Sequence, residues 1–152
     1  MSTSNYELYE KDLYAWSKKN AQLLRERKFD ELDIEHLAEE IESVGKHEED
    51  YFVSNLIPLV SHLFKLKFAT EQELERCKKG WIDTVEEQRR RCNKYLKKNP
   101  SLKYKQDELY DEAFESGCAQ AAIGLGKDKL EIFESYSFSL EKCLSNDFFP
   151  EN

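Results

Sequence analysis

The residue types that could do chemistry cluster on one stretch. At about 100° per residue along a helix, His36, Glu40, His47, Tyr51 and His62 fall along one edge of the segment from Ile34 to Phe68. Imidazoles and carboxylates projecting from helices can hold a di-metal centre, usually through Glu-x-x-His pairs on two helices. Here the order is reversed, in His36-Leu37-Ala38-Glu39, and no histidine follows His62 to supply a second pair. The residues Glu40, His47, Tyr51 and His62 therefore read as a hydrogen-bonded polar seam. A metal- or small-ligand-binding helical enzyme built on that seam is the rival reading. Ser43 and Ser61 lie near histidines, but there is no G-x-S-x-G and no Gly-rich phosphate loop. No catalytic residue, metal or cofactor is assigned.

A second constellation is basic. Between Arg76 and Lys105 stand Arg76, Lys78, Lys79, Arg89, Arg90, Arg91, Lys94, Lys97, Lys98, Lys103 and Lys105, against Asp83, Glu86 and Glu87. Basic clusters are the footprint of nucleic-acid contact. Interleaved aromatics are few, only Tyr95 and Tyr104, so nucleic-acid binding through the Arg89–Lys105 segment is disfavoured. Intramolecular pairing is the simpler account, because Glu86 to Arg90 and Glu87 to Arg91 have i,i+4 spacing. A complementary acidic run precedes it. From Glu31 to Asp50 the acids Glu31, Asp33, Glu35, Glu39, Glu40, Glu42, Glu48, Glu49 and Asp50 face one fixed base, Lys46. An antiparallel hairpin of the second and third helices would match the signs. The same half-acidic, half-basic hairpin is self-complementary under two-fold symmetry, which suits a homodimer.

These groups need elements to position them. Ile34, Leu37, Ala38, Ile41, Val44, Phe52, Leu56, Leu59, Leu63 and Leu66 share one stripe at helical period, which predicts a core-facing central helix capped by Asp33. Beyond Asp50, Val53, Ile57, Val60 and Phe64 load a second side, so that half is expected to be enclosed. At about 1.5 Å per residue the stretch spans roughly 50 Å, and Gly45 or Pro58 is the expected bend. Leu13, Trp16, Leu23 and Leu24 predict a first helix from Tyr9 to Arg27. A third runs from Thr70–Glu75 to just before Pro100, with Leu74, Cys77, Trp81, Val85, Gln88, Cys92, Tyr95 and Leu96 on its buried face. Gln88, a buried amide, is expected to clasp another helix. The fourth runs from Ser101 to Leu125 with small residues on its inner face, at Ala113, Gly117 and Ala121. After a weak stretch from Lys127 to Phe138, Ser139 caps a short helix through Leu144, and Phe148-Phe149-Pro150 is expected to dock.

Composition agrees with helices. The 152 residues include 36% charged side chains but only 5 Gly and 3 Pro, toward the helical end of globular composition. The net charge of -8 opposes nucleic acid and anionic membranes overall. Cys77, Cys92, Cys118 and Cys143 show no metal-ligand spacing and read as reduced thiols of a cytoplasmic protein. The N-terminal MSTSNYELYEKD lacks the apolar core of a signal peptide, and no run spans a membrane.

Blocks in order carry a family resemblance. Tyr9-Glu10-Lys11-Asp12-Leu13-Tyr14-Ala15-Trp16, Phe29-Asp30-Glu31-Leu32-Asp33, Glu39-Glu40-Ile41-Glu42-Ser43-Val44-Gly45, His62-Leu63-Phe64-Lys65, Trp81-Ile82-Asp83-Thr84-Val85 with Glu87-Gln88-Arg89-Arg90, Asn99-Pro100-Ser101-Leu102 and Asp147-Phe148-Phe149-Pro150 are similar to the bacterial domain-of-unknown-function family numbered twenty-nine, abundant in cyanobacteria. The resemblance implies a small, all-helical bacterial protein and no reaction or ligand. It singles out Glu39, Glu40, Glu42, His62, Trp81, Gln88 and Arg89 as positions to inspect, while Arg90, Arg91 and Lys94 complete the basic patch. After the central helix the chain departs from the family's aromatic, proline-containing turn, with Phe68-Ala69-Thr70. The whole reads as one all-α domain over residues 1–152: a helical bundle of four main helices with a long central helix and a short C-terminal helix. The expected role is a non-enzymatic protein-interaction module whose partner the sequence does not name.

Overall fold

A computed structural model describes residues 4–151 of the chain. Residues 1–3 of the polar N-terminal stretch, part of the segment expected to lack a signal peptide, lie outside the described residues. Every regular element among the described residues is helical: α1 (Asn5–Lys11), α2 (Leu13–Arg25), α3 (Ile34–Phe68), α4 (Glu71–Lys98), α5 (Gln106–Leu125), α6 (Lys129–Ser135) and α7 (Leu140–Leu144), with 3-10 turns at Phe29–Glu31 and Pro100–Tyr104. The chain divides into two compact units, one ending at His47 and the other beginning at Glu48. Among the described residues no helix is long and apolar enough to cross a membrane.

In the first unit the single helix expected from Tyr9 to Arg27 is broken at Asp12. The Asp12 carboxylate accepts the Ala15 amide at 2.9 Å and so caps α2, while its own N–H closes α1 on the Leu8 carbonyl. One side chain thus ends one helix and starts the next. A buried amide then ties the unit together. Asn20 accepts from Asn5 at 3.1 Å and from the Asp33 backbone at 3.1 Å, and it donates to the Trp16 carbonyl.

The second unit holds the main core. Phe52, Leu56, Leu59, Val60, Leu63 and Phe64 of α3 are fully enclosed, and Val85, Cys92, Ala113, Cys118, Ala121 and Ile132 join them. Thr70 opens α4 with a full capping box, exchanging hydrogen bonds with Glu73. The expected start of the fourth helix at Ser101 is corrected: Pro100 begins a 3-10 turn, and α5 starts only at Gln106. Gly126 ends it in the left-handed region at φ 63°, which a side chain adopts with strain. The weak stretch after it contains α6, whose N-cap Asp128 accepts from the Glu131 amide. Phe114 packs edge-on against Phe64 and Phe138 at 5.2 Å between centroids, Phe64 and Phe138 meet tilted at 5.3 Å, and Tyr110 donates to the Phe138 carbonyl at 2.6 Å.

Two expectations about faces fail. Ile34, Ile41 and Val44 remain 65%, 70% and 60% exposed, so the core-facing stripe of α3 holds only for its second half. Arg89, counted with the basic cluster, is instead fully buried. It sits four residues after Val85 and three before Cys92, in register with the apolar face of α4.

Candidate functional site

The polar seam does not act as one group of interacting side chains. Glu40 accepts the Tyr9 hydroxyl at 2.7 Å, and that bond, with burial, pushes the Tyr9 pKa up to about 12. His47 is exposed. Tyr51 lies against Tyr95 at 4.4 Å between ring centroids, while Tyr95 donates to Glu48, and burial with that bond raises its pKa to about 12. His62 turns Nδ1 to the Pro58 carbonyl at 2.7 Å, and burial holds its pKa below the usual value. Among the described residues no three His, Cys, Asp or Glu groups are placed to hold a metal ion. Glu39 and Glu42 are exposed, and Trp81 packs half-buried against the core.

His36, on the same helix edge as Glu40 and His47, is the best-built polar group of the first unit. His36 stacks on Tyr9 at 3.8 Å, meets Tyr6 at 4.6 Å and places Nδ1 2.7 Å from the Asp33 carboxylate. Trp16 donates to the same carboxylate at 2.9 Å. The Asp33 bond raises the His36 pKa above 6.5 against the opposing effect of burial. Burial also works against the Asp33 charge, yet the bonds from His36 and Trp16 hold its pKa below 3.8. The signs define a window. His36 contributes stability below pH 6.5 that is lost as pH rises through its raised folded pKa, and Asp33 contributes stability above pH 3.8 that is lost as pH falls through its depressed one. Proton NMR titration is therefore expected to find His36 above 6.5 and His62 below it, and the first unit firmest between the two limits; His36 at or below 6.5 would contradict the pairing.

The basic patch is also dispersed. Arg89 is enclosed, donating from Nε to the Cys143 carbonyl at 2.8 Å and from a terminal nitrogen to the Phe148 carbonyl, with its guanidinium 4.8 Å over the Phe149 ring. Arg90 and Arg91 both grip Glu87, at 2.9 and 2.7 Å, and hold that carboxyl down at about 2. Lys94 is left on the surface. Gln88 makes no clasp through its Oε1, which is buried without a partner. In the second unit one opposite-charge pair of the expected kind forms, Glu49 with Lys105 at 3.1 Å, while Glu48 accepts from the uncharged Asn99 amide at 3.1 Å. All four cysteines are free, and burial pushes the Cys92 thiol up to about 12, where it is inert.

The surface that stands out lies on the first half of α3. Ile34, Leu37, Ile41 and Val44 recur at intervals of three, four and three, the a and d positions of a heptad seam. Ala38 and Gly45 lie beside them, and a side chain added at Gly45 would meet nothing within 4 Å. Glu40 stands at the g position beside the seam, while the exposed acids Glu35 and Glu42 lie at b and Glu39 at f, turned away from it. Among the described residues the first unit encloses two large apolar side chains, Trp16 and Leu23, while Tyr6, Leu13, Tyr14, Leu24, Phe29, Ile34, Ile41 and Val44 are exposed. Sequence periodicity located this stripe but not its exposure.

The chain is thus an all-helical protein with a packed core, an aromatic–histidine box and an open apolar seam. The family model of a domain of unknown function, DUF29, matches residues 8–149, and the chain belongs to that family. No curated protein and no solved structure matches it.

Proposed function

We propose that this chain is a protein-interaction module that receives one amphipathic helix of a partner protein along Ile34, Leu37, Ile41 and Val44. The observation that carries the proposal is the exposure of that heptad seam, at 65% for Ile34, 70% for Ile41 and 60% for Val44. Apolar side chains at a and d positions are stabilised by facing side chains that fill the gaps between them, and Ala38 and Gly45 leave room for a close approach. Glu40, at the g position beside the seam, selects the occupant. A second copy packed antiparallel would bring Glu40 toward its own counterpart, so the partner helix carries Lys or Arg beside its apolar stripe.

The test uses a labelled synthetic helix with Ile and Leu at a and d and Lys at e and g, followed by fluorescence anisotropy. The full chain is expected to bind it saturably, and Ile41→Glu to weaken binding at least about tenfold, the effect of deleting a central apolar anchor. Ile41 is a surface residue, so the variant keeps its fold, checked by circular dichroism. No saturable binding overturns the proposal. So does sedimentation as a dimer that Ile41→Glu dissociates, which would give the seam to a second copy.

A further inference from the structure

The second unit contains a crevice of about 350 Å³ lined by Arg90, Asn93, Lys94, Lys97 and Asn146. The first four residues are spaced i, i+3, i+4 and i+7, so one face of α4 supplies them, and Asn146 closes the crevice from the turn after α7. The lining contains three cationic side chains, two amides and no carboxylate, on a chain whose net charge is -8. Lys94, Lys97 and Asn146 have no hydrogen-bond or ion-pair partner among the described residues, whereas Arg90 is held by Glu87 and Asn93 donates to the Leu144 carbonyl at 3.1 Å.

We infer that this crevice is a binding site for a phosphate group, free or at the end of a small phosphorylated molecule. Lys94 and Lys97, gathered on one face without counter-ions, repel one another, and a multiply charged oxyanion relieves that repulsion while accepting hydrogen bonds from ammonium and amide donors at once. Lys97 lies in the last turn of α4, where a cation is favoured by the helix dipole, but Arg90 and Lys94 lie further in, where that benefit has faded. The absence of an aromatic ring from the lining sets the class of ligand. Single-stranded nucleic acid is held by bases stacked on aromatic side chains, and this crevice offers none. Its volume suits a small molecule rather than a polymer.

Isothermal titration of the full chain with inorganic phosphate, pyrophosphate and glycerol 3-phosphate at low ionic strength tests this. Saturable binding of at least one probe is expected, and loss of two charge-assisted donors in Lys94→Ala/Lys97→Ala should weaken it tenfold or more, about the effect of such bonds. Lys79→Ala/Lys103→Ala removes the same charge from exposed sites outside the crevice and should leave binding within about twofold, since unpaired surface charges act weakly at a distance. Preference for glycerol 3-phosphate assigns the site to a phosphorylated molecule, and preference for inorganic phosphate to the free anion. Equal weakening in both double variants reduces the effect to net charge and overturns the assignment. No binding of any probe overturns it too, as does retention of a single-stranded oligonucleotide alone.

Discussion

Arg89→Ala is expected to destabilise the second unit by about 4 kcal/mol, the largest effect of any single substitution considered. Arg89 heads the largest fully buried side chains, so truncation opens a cavity in the packed face of α4. It also removes the donors to the Cys143 and Phe148 carbonyls and the cation above the Phe149 ring. Deleting a buried charge returns its desolvation cost, which acts the other way. That return is partial here, because carbonyl oxygens and an aromatic face solvate the guanidinium although Nη1 is buried without a partner, and the lost packing and orphaned carbonyls outweigh it. Arg89→Met keeps the volume without the donors and should recover roughly half of the loss, since each unpaired buried carbonyl costs about 1–3 kcal/mol. Arg90→Ala, on the surface, should stay within about 0.5 kcal/mol. Urea unfolding followed by circular dichroism measures the series, and protease cleavage after Phe148 reports release of the C-terminal segment. An Arg89→Ala variant as stable as Arg90→Ala would contradict the structure.

Gly117→Ala is the second large effect. A Cβ there would stand 2.7 Å from Val60 Cβ and Cγ1 and 2.9 Å from the Ile57 carbonyl oxygen. Alanine improves helix propensity by about 1 kcal/mol over glycine, but overpacking a filled core costs about 3 kcal/mol at its upper range, and a backbone oxygen has no rotamer to retreat into. The net expectation is a loss of about 2 kcal/mol. Val60→Ala leaves a cavity on its own, yet in the Gly117→Ala background it removes Cγ1, one of the three clashing atoms, and opens room for the other contacts to relax, so the double variant should be more stable than additivity predicts. Thermal melts of the four proteins measure the coupling; strict additivity would show that α5 and α3 do not meet at these residues.

Much of this architecture was legible in the sequence because it is local. Asp33, Thr70 and Ser139 announce helix starts, and the bounds of α3 and α7 follow from them. Gly117 with its small neighbours marked a close helix approach that the structure places on Val60. What failed was either a double duty or a matter of context. Asp12 stops one helix and starts another, which periodicity alone reads as continuity. Arg89 looked like part of a surface run because of its neighbours Arg90 and Arg91, although its spacing from Val85 and Cys92 already put it on the buried face. Ile34, Ile41 and Val44 show the deeper limit. Periodicity identifies an apolar face, but only the positions of neighbouring elements decide whether the chain itself covers it.

That question is central, since the proposed role rests on α3 doing opposite jobs in its two halves. The most direct measurement is residue-resolved NMR of the chain titrated with the Lys-flanked helix. Shifts at Ile34, Leu37, Ile41 and Val44 are predicted, with Leu56, Leu59, Leu63 and Phe64 unmoved. Side chains at Ile41 and Val44 already shielded from solvent in the free chain, or a binding response confined to other residues, would contradict the account.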